Sequence, residues 1–363
     1  MLMTPNNNRP NIEIRPISDR SMCPSCHRGL TPESPLTMTT NSKDETTTLS
    51  PDEAFAVLGK ETRMEVLKVL GDAEEPLSFS EIRERLGIDD PGQVNYHLKQ
   101  LRGHFIQQTE DGYNLLEPGN RIIQAVVSGS VTGTSILEAT PIDAPCPYCG
   151  EPVIIRYGGE RLLVRCTDCA GTYAGSETDA PFVDAHPYGS IAAFPLPPAG
   201  FAGLSPQEVL GTAIVCSFTE YLAMGKGMCP RCAMAIEQTV QICDNHEPSG
   251  GNCERCHTRH AVTVDYHCPH CTHQEITVPV GFDLFLSEPE LMTFLSARGV
   301  IPAIPSWELT VPMFDYEDEV IEGDPLILQL TYTVGGDRLV LTVDEELDVV
   351  DSNVITGLRE EAD

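Results

Sequence analysis

Residues 229–271 read Cys229-Pro230-Arg231-Cys232, Cys243-Asp244-Asn245-His246, Cys253-Glu254-Arg255-Cys256 and Cys268-Pro269-His270-Cys271, and this stretch decides how the larger part of the chain is built. A C-x2-C knuckle aims two thiolates at one tetrahedral ion. Eight ligands therefore imply two ions. Taken in chain order they form one site from Cys229, Cys232, Cys243 and His246, and an all-thiolate ribbon from Cys253, Cys256, Cys268 and Cys271. A cross-braced arrangement, the first knuckle with the third, is the alternative. Ala261-Val262-Thr263-Val264 and Glu275-Ile276-Thr277-Val278 alternate as ribbon strands do. His257, His260, His267, His270 and His273 crowd the region, and with enough thiols present each is expected in solvent or behind a ligand.

Upstream, Cys146-Pro147-Tyr148-Cys149 and Cys166-Thr167-Asp168-Cys169 flank a hairpin-length insert with Gly158-Gly159 at its middle. That is the plan of a zinc ribbon, closed by four protein ligands and so structural rather than catalytic. About three structural Zn2+ ions are expected in all. Twelve of the 14 Cys fall in such pairs, which favours metal over disulfides in a reducing, cytoplasmic setting. Residues 1–20 are polar, without the apolar core of an export signal, and no run is long and apolar enough to span a membrane. The pair Cys23 and Cys26 has no partner pair. Cys23-Pro24-Ser25-Cys26-His27 and Cys253-Glu254-Arg255-Cys256-His257 match a haem-attachment pattern, a reading that lacks the export it needs. Lone Cys216 reads as a small buried hydrophobe.

Residues 50–128 read as helical. Ser50-Pro51-Asp52-Glu53 and Ser78 with Glu81 are capping boxes. Met64, Leu67 and Leu70 mark a second helix, Ile82 and Leu86 a third. Asp90-Pro91 opens a fourth, with Val94, Leu98 and Leu101 on one face. Phe105 to Thr109 and Tyr113 to Leu115 flank Asp111-Gly112, a hairpin signal. Leu58-Gly59-Lys60-Glu61-Thr62-Arg63, Phe79-Ser80-Glu81-Ile82 and Val94-Asn95-Tyr96-His97-Leu98-Lys99-Gln100-Leu101 together resemble the ArsR-like winged helix-turn-helix transcription regulators, over about 80 residues. The resemblance implies a homodimer in which the fourth helix enters the DNA major groove and the hairpin wing touches the backbone. It assigns base reading to Gln93, Asn95, Tyr96, Lys99 and Arg102, side chains of suitable type for adenine, guanine or phosphate. His97 is expected at the core edge. Metal-sensing members carry a Cys-x-Cys pair on the third helix; Ser80 to Leu86 has no thiol, so toxic-metal sensing there is not implied.

The net charge is −31, with five Lys against 18 Arg, a composition that resembles proteins of halophilic archaea. Residues 51–128 carry eight bases against 14 acids, and from Ile304 to the end two Arg face 16 acids, a surface that repels DNA. A helix is expected over Pro206–Met224, another near Glu288 to Ala297, and strands after Trp307.

The expectation is an α+β multidomain chain. Residues 1–49 form a disordered arm (with Met38 as an alternative start), 50–128 the winged helix-turn-helix, 129–200 a zinc ribbon and linker, 201–303 a helix and double zinc cluster, and 304–363 an acidic β-hairpin segment. The function implied is a sequence-specific, DNA-binding transcription regulator whose C-terminal region senses a small-molecule effector or binds a protein partner. The alternative is a general transcription factor-like protein docking on RNA polymerase. A zinc store is disfavoured because closed four-ligand sites fold with their metal. No constellation of an enzyme is recognisable, and no enzyme is expected.

Overall fold

The structure, a computed structural model, describes residues 12–16, 49–133, 135–173, 189–249, 251–271, 276–300 and 306–357. Cys23, Cys26 and Met38 lie outside the described residues. The chain is a mixed α+β protein that divides into two compact units, His27–Gly133 and Thr134–Asp363 together with the stretch before residue 27. Among the described residues no helix is long and apolar enough to cross a membrane.

The first strand, β1 (Ile12–Pro16), belongs to the larger unit and is taken up below. The smaller unit holds α1 (Pro51–Leu58), α2 (Glu61–Gly71), α3 (Phe79–Leu86), α4 (Pro91–Leu101), the hairpin β2 (Ile106–Gln108) and β3 (Tyr113–Leu115), and α5 (Glu117–Val127). Both capping boxes form: Ser50 and Ser78 each accept from the backbone of the Glu three residues on, whose carboxylate accepts in return. α3 stops at Gly87, left-handed at φ 65°. Val66 and Leu67 of α2, Ile82 of α3, Val94, Leu98 and Leu101 of α4, Ile106 of β2 and Ile123 of α5 make its core. Gly112 in the hairpin turn sits at φ 141°, where a Cβ would lie 2.6 Å from the Leu77 carbonyl oxygen. Leu77 and Tyr113 exchange backbone hydrogen bonds there, so only glycine lets the hairpin lie against the chain ahead of α3.

The larger unit carries β4 (Leu137–Pro145), β5 (Pro152–Gly158), β6 (Arg161–Cys166), β7 (Ser190–Pro195), α6 (Pro206–Met224), β8 (Glu237–Ile242), β9 (Pro248–Ser249), β10 (Asn252–Cys253), β11 (Val262–His267), β12 (Ile276–Pro279), α7 (Val280–Ser287), α8 (Pro289–Ser296), α9 (Trp307–Phe314), β13 (Tyr316–Gly323), β14 (Leu326–Val334), β15 (Asp337–Val343) and β16 (Val349–Ile355). They form three four-stranded sheets, ordered β4-β5-β6-β7, β1-β8-β11-β12 and β13-β14-β15-β16, and the small pair β9-β10.

Three expectations change. First, β1 lies within the expected arm yet pairs in parallel with β8, from Ile12↔Gln238 to Pro16↔Ile242. Ile12 and Ile14 alternate with Glu13 and Arg15, a short strand pattern inside polar surroundings, and Ile14 packs on the core. Second, the segments 129–200, 201–303 and 304–363 are not separate modules. One apolar core runs from Ile142 to Leu347 through all three sheets and α6 to α9. Trp307 shows why: its ring N–H donates to the Pro145 carbonyl at 2.7 Å, across 162 residues of chain. Third, the acidic end is a four-stranded sheet rather than a hairpin. In β13 the acids Glu317, Glu319 and Glu322 are not buried, while Tyr316 faces the core. The alternation is there, but its polar half is charged enough to hide the strand.

Candidate metal centres

Two hairpins build the ribbons by the same geometry. In the first, β5 pairs with β6 from Val153↔Cys166 to Gly158↔Arg161. The turn is Gly159-Glu160, with φ 57° and 60°, the two-residue left-handed turn that suits strand twist. Cys146 and Cys149 precede β5, Cys166 ends β6 and Cys169 follows it, so all four thiols meet at one end of the hairpin. In the second, β8 pairs with β11 from Glu237↔His267 to Ile242↔Val262. Cys229 and Cys232 precede β8, and Cys268 and Cys271 follow β11. They too meet at one end.

The ligand sets are therefore Cys146, Cys149, Cys166 and Cys169; Cys229, Cys232, Cys268 and Cys271; and Cys243, His246, Cys253 and Cys256, with the ligand atoms of each set within 4.8 Å of one another. This corrects both pairings offered by the sequence. The first knuckle joins the fourth, and the second joins the third, in a nest. Antiparallel register is the reason: it brings the residues before β8 to those after β11, and leaves Cys243 at the opposite end, where its N–H donates to the Ala261 carbonyl at 2.8 Å.

Sulfur separations are 3.6 Å for Cys146–Cys169, 3.5 Å for Cys149–Cys166, and 3.6 Å for both Cys229–Cys271 and Cys232–Cys268. These are far from the ~2.05 Å of a disulfide and near the edge of a tetrahedron about one ion. Three knuckles close alike. The N–H after the second cysteine donates to the first cysteine's carbonyl, at 3.0 Å for Gly150, 2.9 Å for Ala233 and 2.9 Å for His257. All three closing residues have φ between 59° and 78°. This places exposed His257 as a turn residue of its knuckle and accounts for the haem-like spacing without any haem. At Cys166 the N–H groups of Asp168 and Cys169 both donate to Sγ at 3.3 Å, stabilising a thiolate.

The inner site is the more polar one. His246 turns Nδ1 toward Cys256 Sγ at 3.5 Å, and Nε2 donates to the Arg259 carbonyl at 2.9 Å. That outer bond orients the ring so that Nδ1 is the ligand atom. Burial pushes the Cys256 thiol up, but hydrogen bonds from His246 and Thr258 outweigh it and bring it down to about 6. Burial works against charge on His246, yet the Cys256 thiolate and the Arg259 carbonyl raise it to about 9. A thiol pulled toward thiolate beside an oriented imidazole is the donor chemistry that would suit a metal ion at this site.

Arg259, which the sequence reading did not single out, ties this site to the first ribbon. Its guanidinium lies 3.9 Å over the Tyr148 ring and donates from Nε to the Gly171 carbonyl at 3.1 Å. Tyr148 is in the first knuckle, and its hydroxyl meets that of Thr172 at 2.7 Å. His260 is no ligand either, nor does it face solvent: it is buried, 3.2 Å from Asp318 of β13 and stacked on Tyr316. No local spacing could reveal partners 58 residues away. Cys216 is half-buried on α6, its thiol pushed up by burial and by Glu220.

In the smaller unit Gln93, Asn95, Tyr96 and Lys99 of α4 and Arg102 at its C-cap are all exposed, away from the buried face of Val94, Leu98 and Leu101. Tyr96 is 57% exposed, with its ring edge-on to that of His97 at 5.3 Å between centroids. Arg102 donates to Gln108 of β2 at 3.1 Å, joining the end of the helix to the hairpin. His97 is buried at the core edge, and burial, then Arg63, lowers its pKa.

Fold and sites thus define an α+β protein with a compact helical unit and a larger unit bearing three Cys/His metal-ligand sets. The chain belongs to the family described as domain of unknown function (DUF7351), whose model matches residues 143–349, and a second model, domain of unknown function (DUF7347), matches residues 51–126. No curated protein and no solved structure matches it.

Proposed function

We propose that the smaller unit is a winged helix-turn-helix that reads double-stranded DNA, and that the chain is a sequence-specific transcription regulator. The observation that carries this reading is the face of α4. Gln93, Asn95, Tyr96 and Lys99 of α4 and Arg102 at its C-cap are exposed side chains suited to base edges and phosphates, and the hairpin is held beside them through Arg102 and Gln108. The three ligand sets are structural Zn2+ sites: tetrahedral zinc with sulfur at ~2.3 Å has edges of about 3.8 Å, close to the separations above. Exposed Phe55 on α1 and Val127 on α5, at 72% and 65%, suit a homodimer seam formed by the flanking helices.

Genome-wide occupancy in the native host tests the reading. A few sharp promoter peaks, lost in Asn95→Ala/Lys99→Ala, are expected. Occupancy that follows RNA polymerase at most promoters would favour the general-factor alternative instead. One base contact removed, as in Asn95→Ala, should cost about 1–3 kcal/mol at its operator position. With six more acids than bases in residues 51–128, affinity in molar KCl should fall only shallowly with salt, because few counterions are released.

A further inference from the structure

The C-terminal sheet ends in a strand whose outer edge the described fold leaves unpaired. β16 stands at the edge of β13-β14-β15-β16 and, among the described residues, bonds only to β15. Open edges are usually blunted by proline, lysine, a short strand or a covering element. β16 runs seven residues, Val349 to Ile355, and holds neither proline nor lysine; the one register shift against β15 falls between Thr342 and Val343, and Asp351 to Ile355 pair regularly. It exposes Val350, Val354 and Ile355 at 56%, 49% and 39%.

A groove adjoins this edge. Leu339 is opposite Val354 in the β15–β16 register, so Val354 continues the buried face of the sheet beyond the helix that covers it. α8 stops short. Between Phe294 of α8, Ala297 just past its end, and Leu339 and Val354 of the sheet lies an opening of about 390 Å³, with exposed Glu290 beside it. Arg298 at the same place is committed: it pairs with Asp337 at 2.7 Å and lies 3.7 Å over the Phe294 ring. Its charge is neutralised, and the surroundings are acidic. Asp351 lies in the strand, Asp344, Glu345, Glu346 and Asp348 lie just before it, and residues 304–363 hold 16 acids against two Arg.

We propose that β16 and the α8 groove receive an extended, basic segment of a partner protein, added as a fifth strand. Strand addition satisfies the free backbone groups of the edge, and alternate side chains give the selectivity. Side chains on the Val354 face enter the apolar groove; those on the other face meet Asp351, which shares its side with Asn353. The segment recognised is thus one that alternates aliphatic residues with Arg or Lys. Charge decides against a second copy of this chain, since pairing β16 with itself brings two segments of net −14 edge to edge. This inference does not depend on DNA reading by the smaller unit.

The test uses the full metal-loaded chain and two short synthetic peptides of one composition, Val and Arg alternating or in two blocks. The alternating peptide should bind by fluorescence anisotropy, with Val354→Lys weakening it at least about tenfold. Amide exchange of β16 in the native chain should slow when that peptide is added. Equal binding of the block peptide would show charge attraction alone and overturn the proposal. So would unchanged exchange in β16, a reading that needs no variant. A concentration-dependent doubling of mass by light scattering, abolished in Val354→Lys, would make the occupant a second copy and equally overturn it.

Discussion

The two ribbons obey one geometrical rule and differ in a single respect. Both place a knuckle before the first strand of a hairpin and another after the second. The first closes its hairpin with Gly159-Glu160; the second replaces that turn with residues 243–261, which carry a complete ligand set of their own. A tight turn needs only a conformational preference, here two residues of positive φ. A turn of that length must be ordered by something else, because loop-closing entropy and a lack of local apolar residues work against it. Three buried cysteines and one imidazole, clustered apart from the main core, take that role. The inner site is in this sense a staple in a hairpin turn, and Arg259 connects it to the other ribbon.

The largest expected effect tests the nesting. Each structural ion contributes on the order of 10–16 kcal/mol to folding of its site. Native mass spectrometry of Cys243→Ser/Cys253→Ser should show loss of one ion of three. Pairing in chain order would remove two, and would break the comparison. Next comes the shared core: Leu162→Ala in the first ribbon should cost about 2–5 kcal/mol in chemical denaturation, and should lower the protection of β8 and β11 as well as β5 and β6. If only the first ribbon responds, the two do not share one core.

A smaller effect belongs to Arg259→Met. Loss of its charged hydrogen bond and of the contact with Tyr148 should cost about 1.5–3 kcal/mol. Metal should then leave the Cys146 site faster under chelator, although no ligand has changed. The smallest lies at α6, which packs against β4 and β7 of the first sheet and against α7 and α9. Ser205 holds the Glu208 carboxyl below its usual range through side-chain and backbone hydrogen bonds. A lowered carboxylate stabilises the fold above its unfolded pKa, and that contribution is lost as pH falls through the lower folded value. Glu208→Gln should therefore loosen the start of α6 slightly at neutral pH, read as faster amide exchange there, and its difference from the parent should shrink on acidification.

Much of this molecule was legible locally. Ser50, Ser78 and Ser205 announce helix starts because the capping bond spans only three residues. Gly112 marks a hairpin because its backbone region is closed to other residues. All twelve residues of the three clustered sets could be named in advance, since a knuckle of Cys-x2-Cys or Cys-x2-His brings its own two ligand atoms together. Less was legible where partners are distant. β1 was hidden by the polar residues around it, β13 by its carboxylates, and His260 looked like one of several spare histidines until Asp318 stood beside it.

The nested pairing marks the division most sharply. Residue type and spacing settle that the four knuckles in residues 229–271 supply ligands for two four-ligand sets, because that is a matter of bond lengths within each knuckle. Which knuckles share an ion is a matter of which strand ends meet. Only the antiparallel register of β8 and β11 decides it, by carrying Cys229 and Cys232 to Cys268 and Cys271 and leaving Cys243, His246, Cys253 and Cys256 to close on one another at the far end.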